Sequence, residues 1–267
     1  MLKLICTAIL AVINLISFSQ KPLQGKTLLA IFAHPDDEST VGPVLAKYAA
    51  EGADIYIVVA TDGRYGVNTH STIPAGDTLA AVRYKEMYCA AEKLGVHSPI
   101  MIGTHDQLNM REGKVGETLK RIRDTVIYLF NTINPDVVIT WGGAAWTMHP
   151  DHQLVGDIVT DIFASRQWPK HPKLYYPEIP TGTLPAEGPN FVTVDQSYLT
   201  VAISLSSEDL SKAKMAWSCH QSQYIPSDIE YMRKAVWHGD KPISYFRPFV
   251  STGKMQYSLF DDGAGKK

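Results

Sequence analysis

Thr27-Leu-Leu-Ala-Ile-Phe-Ala33 runs directly into His34-Pro35-Asp36-Asp37-Glu38. Uncharged and without polar alternation, the first seven residues read as a strand buried on both faces, the kind found in a parallel sheet covered by helices. Residues 39–51 follow as a helix, with Val41, Val44, Leu45 and Tyr48 at three-to-four spacing and Gly52 at its end. Asp54-Ile-Tyr-Ile-Val-Val-Ala60 is a second strand that enters the loop Thr61-Asp62-Gly63. Residues 77–94 are helical and closed by Gly95, 98–102 form a short strand, and 116–132 form a long amphipathic helix. Asn134-Pro135 breaks that helix before the strand Asp136-Val-Val-Ile-Thr140. Helix and strand thus alternate at βαβ spacing, which predicts an α/β, Rossmann-like fold: a mainly parallel sheet with helices on both faces.

Beyond Trp168 the texture changes. Pro169, Pro172, Pro177, Pro180, Pro185 and Pro189 punctuate a segment of little periodicity, followed by strand-like residues 191–194 and 199–203. These predict a small C-terminal antiparallel addition that helps wall the site. Residues 206–221 read as a helix with Ser206 or Ser207 as cap and Asp209 in its first turn. The polar tail 261–267 is expected to be disordered.

The chain has 267 residues, 45% of them hydrophobic and 19% charged, with a formal charge of −2. That is the composition of a globular protein, and it provides no basic field for nucleic acid. The first nineteen residues stand apart: Met1-Leu2-Lys3, an apolar run from Leu4 to Ile16, then Ser17-Phe18-Ser19. They read as a secretory signal peptide, too short in its apolar part for a spanning helix, with an uncleaved anchor as the alternative. The expectation is one domain over residues 20–267, exported to the periplasm or the extracellular space, with no stable membrane span once the leader is cleaved. In such a compartment Cys89 and Cys219 can pair, with two buried free thiols as the competing reading.

His34-Pro-Asp-Asp-Glu38 and His149-Pro-Asp-His152 each follow an apolar strand. In open parallel sheets ligands gather beyond the carboxyl ends of strands, which would bring the two clusters together. Imidazole and carboxylate are ordinary ligands of zinc or another divalent ion, and a catalytic zinc typically keeps about three protein ligands and an open position. His34, Asp37 and His152 would supply the ligands, leaving Asp36 as general base. Helix capping explains the acids of the first cluster alone, but not a second His-Pro-Asp cluster in an equivalent place.

These residues carry a resemblance to the PIG-L or LmbE-like N-deacetylases, metal hydrolases acting on N-acetylglucosamine-type conjugates. Ala33-His-Pro-Asp-Asp-Glu38 matches that family's first signature and His149-Pro-Asp-His152 its second; Thr61-Asp-Gly63, Arg83-Tyr-Lys-Glu86, Asp106 and Lys214 through His220-Gln-Ser-Gln223 are similar to its weaker segments. The resemblance implies metal at His34, Asp37 and His152, base chemistry at Asp36, and His149 as a second catalytic group that stabilises an oxyanion or donates a proton. It further implies substrate contacts at Arg83 and Asp106, where an ion pair of Arg83 with Glu86 is the competing account. Asp151 is expected behind a histidine, fixing its tautomer, or as a simple first-turn carboxylate. His220 is expected either at the rim or in a structural role. Trp141, Trp146 and Tyr65 are candidate stacking faces for a sugar, against core or loop packing. The implied partner is a small N-acetylated substrate. Rival readings are a different amide such as a thiol conjugate, a ferrous facial triad of His34, Asp36 and His152, and a non-catalytic sugar-binding module.

Overall fold

The computed structural model describes residues 20–238 and 242–260. The leader expected over 1–19 and the tail 261–267 lie outside them. Strand β1 (Thr27–Phe32) is buried along its whole length, as an apolar run without alternation requires. It pairs in parallel with β2 (Asp54–Thr61) on one side and β4 (Val137–Ile139) on the other. With β3 (Ile100–Thr104), β5 (Lys173–Glu178), β6 (Val201–Ser204) and β7 (Ile243–Pro248) the sheet has seven strands in the order β3-β2-β1-β4-β5-β7-β6. The first five are parallel, and β7 and β6 form the antiparallel addition.

Helices α1 (Gly42–Ala50), α2 (Asp77–Leu94) and α5 (Ser207–Trp217) pack together on one face, and α3 (Val115–Ile133) and α4 (Pro150–Ala164) on the other. The strand pleat sends alternate residues into two cores: Leu28, Ala30 and Phe32 into the first, Leu29, Ile31 and Ala33 into the second. Chain order reverses between β1 and β4, so a crevice opens at their carboxyl ends, where His34 leaves β1 and α4 begins after β4. Ser206 caps α5 in a reciprocal box with Asp209.

The proline-rich region departs from expectation. Residues 191–194 form no strand; Val194 makes an isolated bridge to Pro180. The strand is β5, whose Pro177 falls past the three residues that pair with β4, so its missing N–H costs that ladder nothing. Helix α6 (Pro226–Val236) and β7 complete the wall. Among the described residues no helix is long and apolar enough to cross a membrane.

Cys89 on α2 and Cys219 just after α5 form a disulfide across 130 residues. Replacing both with Ser is expected to lower the unfolding free energy by about 2–4 kcal/mol, below the ~5 kcal/mol that loop-closure entropy alone gives for so long a loop. Urea denaturation of the two proteins compares them directly, and equal midpoints would show the bridge to be idle.

Candidate metal and catalytic site

The turn after β1 is built on Asp37. Its Oδ2 accepts the backbone N–H of Ala33 at 3.0 Å and of His34 at 3.0 Å, and the indole N–H of Trp141 at 3.1 Å. Oδ2 is thereby occupied, and Oδ1 faces His152 Nε2 at 3.1 Å. Trp141 also stacks on the His152 ring, with centroids 4.6 Å apart and planes 11° from parallel.

Two hydrogen-bond networks set the imidazole tautomers. Thr147 Oγ1 donates to Ala145 O at 3.2 Å, so toward His152 Nδ1, also at 3.2 Å, it is an acceptor. His152 therefore carries its proton on Nδ1 and presents a lone pair at Nε2. His34 Nε2 lies 3.2 Å from Asp106 Oδ1 and 3.2 Å from Asp151 Oδ2, both acceptors, which leaves the neutral ring's lone pair at Nδ1. The two lone pairs meet: His34 Nδ1 and His152 Nε2 are 3.0 Å apart. Without a cation, a proton must sit between them. Burial works against that proton, but Asp106, Asp151 and Asp37 outweigh it and hold His34 well above the ordinary imidazole range.

This donor set fits a divalent ion. Tetrahedral ligands about 2.0–2.1 Å from zinc stand ~3.3 Å from one another. The separations here are 3.0 Å between the imidazoles and 3.1 Å from His152 Nε2 to Asp37 Oδ1, while the occupied oxygen, Asp37 Oδ2, lies 3.8 Å from His34 Nδ1. His34, Asp106 and Asp151 also converge, but the two oxygens that face His34 Nε2, Asp106 Oδ1 and Asp151 Oδ2, both accept the N–H of Gln107, and Asp106 Oδ2 accepts that of Tyr65. That cluster supports His34 from behind. Trp141→Phe, which keeps the stacked ring but deletes the donor to Asp37, is expected to weaken divalent-metal binding about 10- to 100-fold by chelator competition.

Asp36 is held apart from this cluster. Arg83 donates from Nη2 to Asp36 Oδ1 at 2.9 Å and to Pro35 O, and from Nη1 to Gly63 O at 3.0 Å. A Cβ at Gly63, whose φ is +62°, would collide with the Arg83 guanidinium. Asp36 itself sits at φ 117°, a backbone position few non-glycine residues adopt. Its N–H donates to Glu38 Oε2 at 3.0 Å, and Glu38 is in turn held at 2.7 Å by His220, both fully buried. Burial and the Asp37 charge push Asp36 above the ordinary carboxylate range against the pull of Arg83.

His149 caps α4, its Nδ1 accepting the N–H of Asp151 at 3.2 Å, so the neutral ring carries its proton on Nε2. Burial and the charges of His34 and His152 lower its pKa below the ordinary value. It stacks edge-on to His34, with centroids 4.8 Å apart.

Several expectations change in detail. Asp106 directs its oxygens at His34, Tyr65 and Gln107, so a substrate contact is not its main occupation. Arg83 binds Asp36 rather than Glu86, whose carboxylate takes the N–H and Oγ of Ser222. Asp151 Oδ2 lies 3.2 Å from His34 Nε2. His220 is away from the rim, locked to Glu38. Trp141 stacks on His152 and Arg111 covers the Tyr65 ring, while Trp146, though buried, lines the cavity beside the reaction centre. The ferrous triad fails because Asp37, not Asp36, meets His152. Thr147 and Tyr224, which borders the cleft beside Asp36 and Asp37, had no sequence signal.

The GlcNAc-PI de-N-acetylase (PIG-L) family matches residues 29–163. A 1D-myo-inositol 2-acetamido-2-deoxy-alpha-D-glucopyranoside deacetylase of Mycobacteroides abscessus is 29% identical over 60% of the chain; the match spans 62% of that protein, less than two thirds of its length. Among solved structures, the N,N'-diacetylchitobiose deacetylase of Pyrococcus horikoshii aligns with a TM-score of 0.63 at 20% identity, covering 84% of this chain and 83% of that one. GalB, a 4-carboxy-2-hydroxymuconate hydratase from Pseudomonas putida, aligns at 0.58 and 17% identity over 85% of this chain and 97% of its own. At such identities the structural likeness is one of fold alone.

Proposed function

The chain belongs to the GlcNAc-PI de-N-acetylase family, and on that premise we propose that it is a metal-dependent hydrolase that removes the acetyl group from an N-acetylated amino sugar or its conjugate. The observation that carries this reading is the convergence of His34 Nδ1, His152 Nε2 and Asp37 Oδ1 beside an Asp36 that is not part of the cluster. Those three residues would hold zinc or another divalent ion. The chemistry supplied there, once an ion is bound, is polarisation of a carbonyl and acidification of a water.

The chain's own groups do the rest. Arg83 pins Asp36 Oδ1, so the other carboxylate oxygen takes the proton from the attacking water. His149, neutral and protonated on Nε2, donates a hydrogen bond to the carbonyl oxygen as charge develops on it, a contribution on the order of 3 kcal/mol. Asp36 then returns its proton to the amine nitrogen as the C–N bond breaks. Acetate and a free amine leave.

We place this activity outside the cytoplasm, because residues 1–19 have the pattern of a leader and the Cys89–Cys219 bridge is of a kind that persists in oxidising compartments. The deciding experiment is acetate release by the zinc-loaded protein from a panel of N-acetylated amino sugars, their glycosides and thiol-conjugate amides, with a chelated control. Metal-dependent release supports the reading; a fully metal-loaded protein that releases nothing from any of them overturns it.

A further inference from the structure

The peptide unit between Pro35 and Asp36 leads from one candidate metal ligand, His34, to the proposed base, and both of its polar atoms are held. Its carbonyl oxygen accepts Arg83 Nη2, and its N–H donates to Glu38 Oε2 at 3.0 Å. The first bond shares its donor atom with the pin on Asp36 Oδ1. The second ends in a pair that the proposed reaction leaves unused. Glu38 Oε1 accepts His220 Nε2 at 2.7 Å and the Ser39 hydroxyl at 3.3 Å, and neither Glu38 nor His220 has any exposed side-chain surface.

This peptide has an easier orientation open to it. Asp36 stands at φ 117° and ψ −19°; turning the preceding peptide through a half-circle would bring φ to about −63°, at the edge of the right-handed helical region that every residue adopts. The Pro35 ring fixes its own φ, so the peptide turns about Pro35 ψ and Asp36 φ alone. The turned peptide would aim the Asp36 N–H at the Arg83 guanidinium, donor against donor, and so displace the group that holds Oδ1. Its carbonyl would face Glu38, acceptor against acceptor. Strained backbone persists only where its surroundings over-determine it, and here Arg83 does so from one side and Glu38 with His220 from the other.

Both restraints lead back to α2. Arg83 lies on that helix. His220 lies between Cys219, bridged to Cys89 of α2, and Ser222, whose N–H and hydroxyl both donate to Glu86 of α2 at 2.7 Å. We infer that Glu38 and His220 are positioning residues for the hydrolysis: they hold the Pro35–Asp36 peptide against a flip that would unseat Asp36 from Arg83. This rests on the hydrolase reading above and deepens it.

The test follows product release by the zinc-loaded protein from the panel named above, with metal content and urea denaturation on the same samples. Glu38→Val combined with His220→Leu replaces the pair by apolar side chains of similar total size, an exchange that buried ion pairs often tolerate, and removes the acceptor of the Asp36 N–H. The expected result is a kcat about 10- to 100-fold lower, with KM within about threefold and metal at its wild-type stoichiometry. Glu38→Gln keeps a carbonyl oxygen for that N–H and turns its amide NH₂ toward His220, whose Nε2 accepts once the ring proton moves to the unpartnered Nδ1. It is expected to recover at least about a third of the wild-type kcat. Added to Asp36→Asn, the double change is expected to slow the residual rate by no more than about threefold, because groups acting through one residue do not add.

An unchanged kcat in the double variant overturns the inference. An equal fall with and without Asp36→Asn does so too, by showing that the pair does not act through Asp36, as does a Glu38→Gln protein as slow as the double variant. A double variant that cannot fold assigns the pair to the fold and likewise overturns it. A metal-loaded wild-type protein that hydrolyses no member of the panel overturns the hydrolase reading itself, and this inference with it, before any variant is compared.

Discussion

Asp36→Asn is expected to cut amide hydrolysis about 10²- to 10⁴-fold while leaving the bound metal at its wild-type stoichiometry. The substitution is close to isosteric and keeps an oxygen for the 2.9 Å bond from Arg83 Nη2. It also keeps the backbone, because Asn, like Asp, tolerates positive φ better than other side chains, and the N–H bond to Glu38 Oε2 is untouched. What disappears is the ability to accept a proton. Burial and the neighbouring Asp37 charge raise the basicity of Asp36 despite Arg83, so the wild-type carboxylate is a better base than an exposed one. Steady-state kinetics with metal analysis on the same samples separate the outcomes: a loss in kcat at full metal content fits a base, whereas parallel loss of metal would make Asp36 part of the ion's support instead.

The fold was legible because β1 through β4 are short apolar runs bounded by helix-stop and turn residues, and their parallel pairing follows from the alternation with helices. The two His-Pro-Asp clusters were legible for the same reason, since the carboxyl ends of β1 and β4 flank the point where strand order reverses. What stayed hidden depends on contacts between segments far apart in sequence. Strand β5 carries Pro177, which reads as a breaker until its position past the β4 pairing is known. The tautomer of His152 is set by a Thr147 hydroxyl that belongs to no motif. Arg83 had a sequence neighbour, Glu86, to pair with on its own helix; the loop bearing Asp36 and the Gly63 turn together offered it three acceptors, and Glu86 went to Ser222. His220 lies 182 positions from its partner Glu38, and no local pattern announces such a pair.

Asp37→Asn is expected to leave the protein folded and to weaken divalent-metal binding by more than the 10- to 100-fold typical of losing a supporting partner. Asp37→Ala would be a poorer probe, since three N–H donors, those of Ala33, His34 and Trp141, converge on Oδ2 and each would be left without its partner at a cost of about 1–3 kcal/mol. Asn retains an oxygen for all three donors and places an uncharged NH₂ where Oδ1 meets His152 Nε2 at 3.1 Å. Stability and metal affinity thereby separate. Proton competition gives a second readout. His34 is held well above the ordinary imidazole range, against burial, by Asp106, Asp151 and Asp37, so at neutral pH an ion must displace a proton from it. The sign follows: below the folded pKa of His34 the apparent affinity rises about tenfold per pH unit as that proton is lost, and it levels off above it. In the wild-type protein the climb should therefore continue past the pH at which a free histidine has finished titrating. Chelator competition at several pH values measures both effects. An Asn variant that binds metal as tightly as wild type would remove Asp37 from the ligand set and leave the cluster of His34, His149 and His152 as the site to test next.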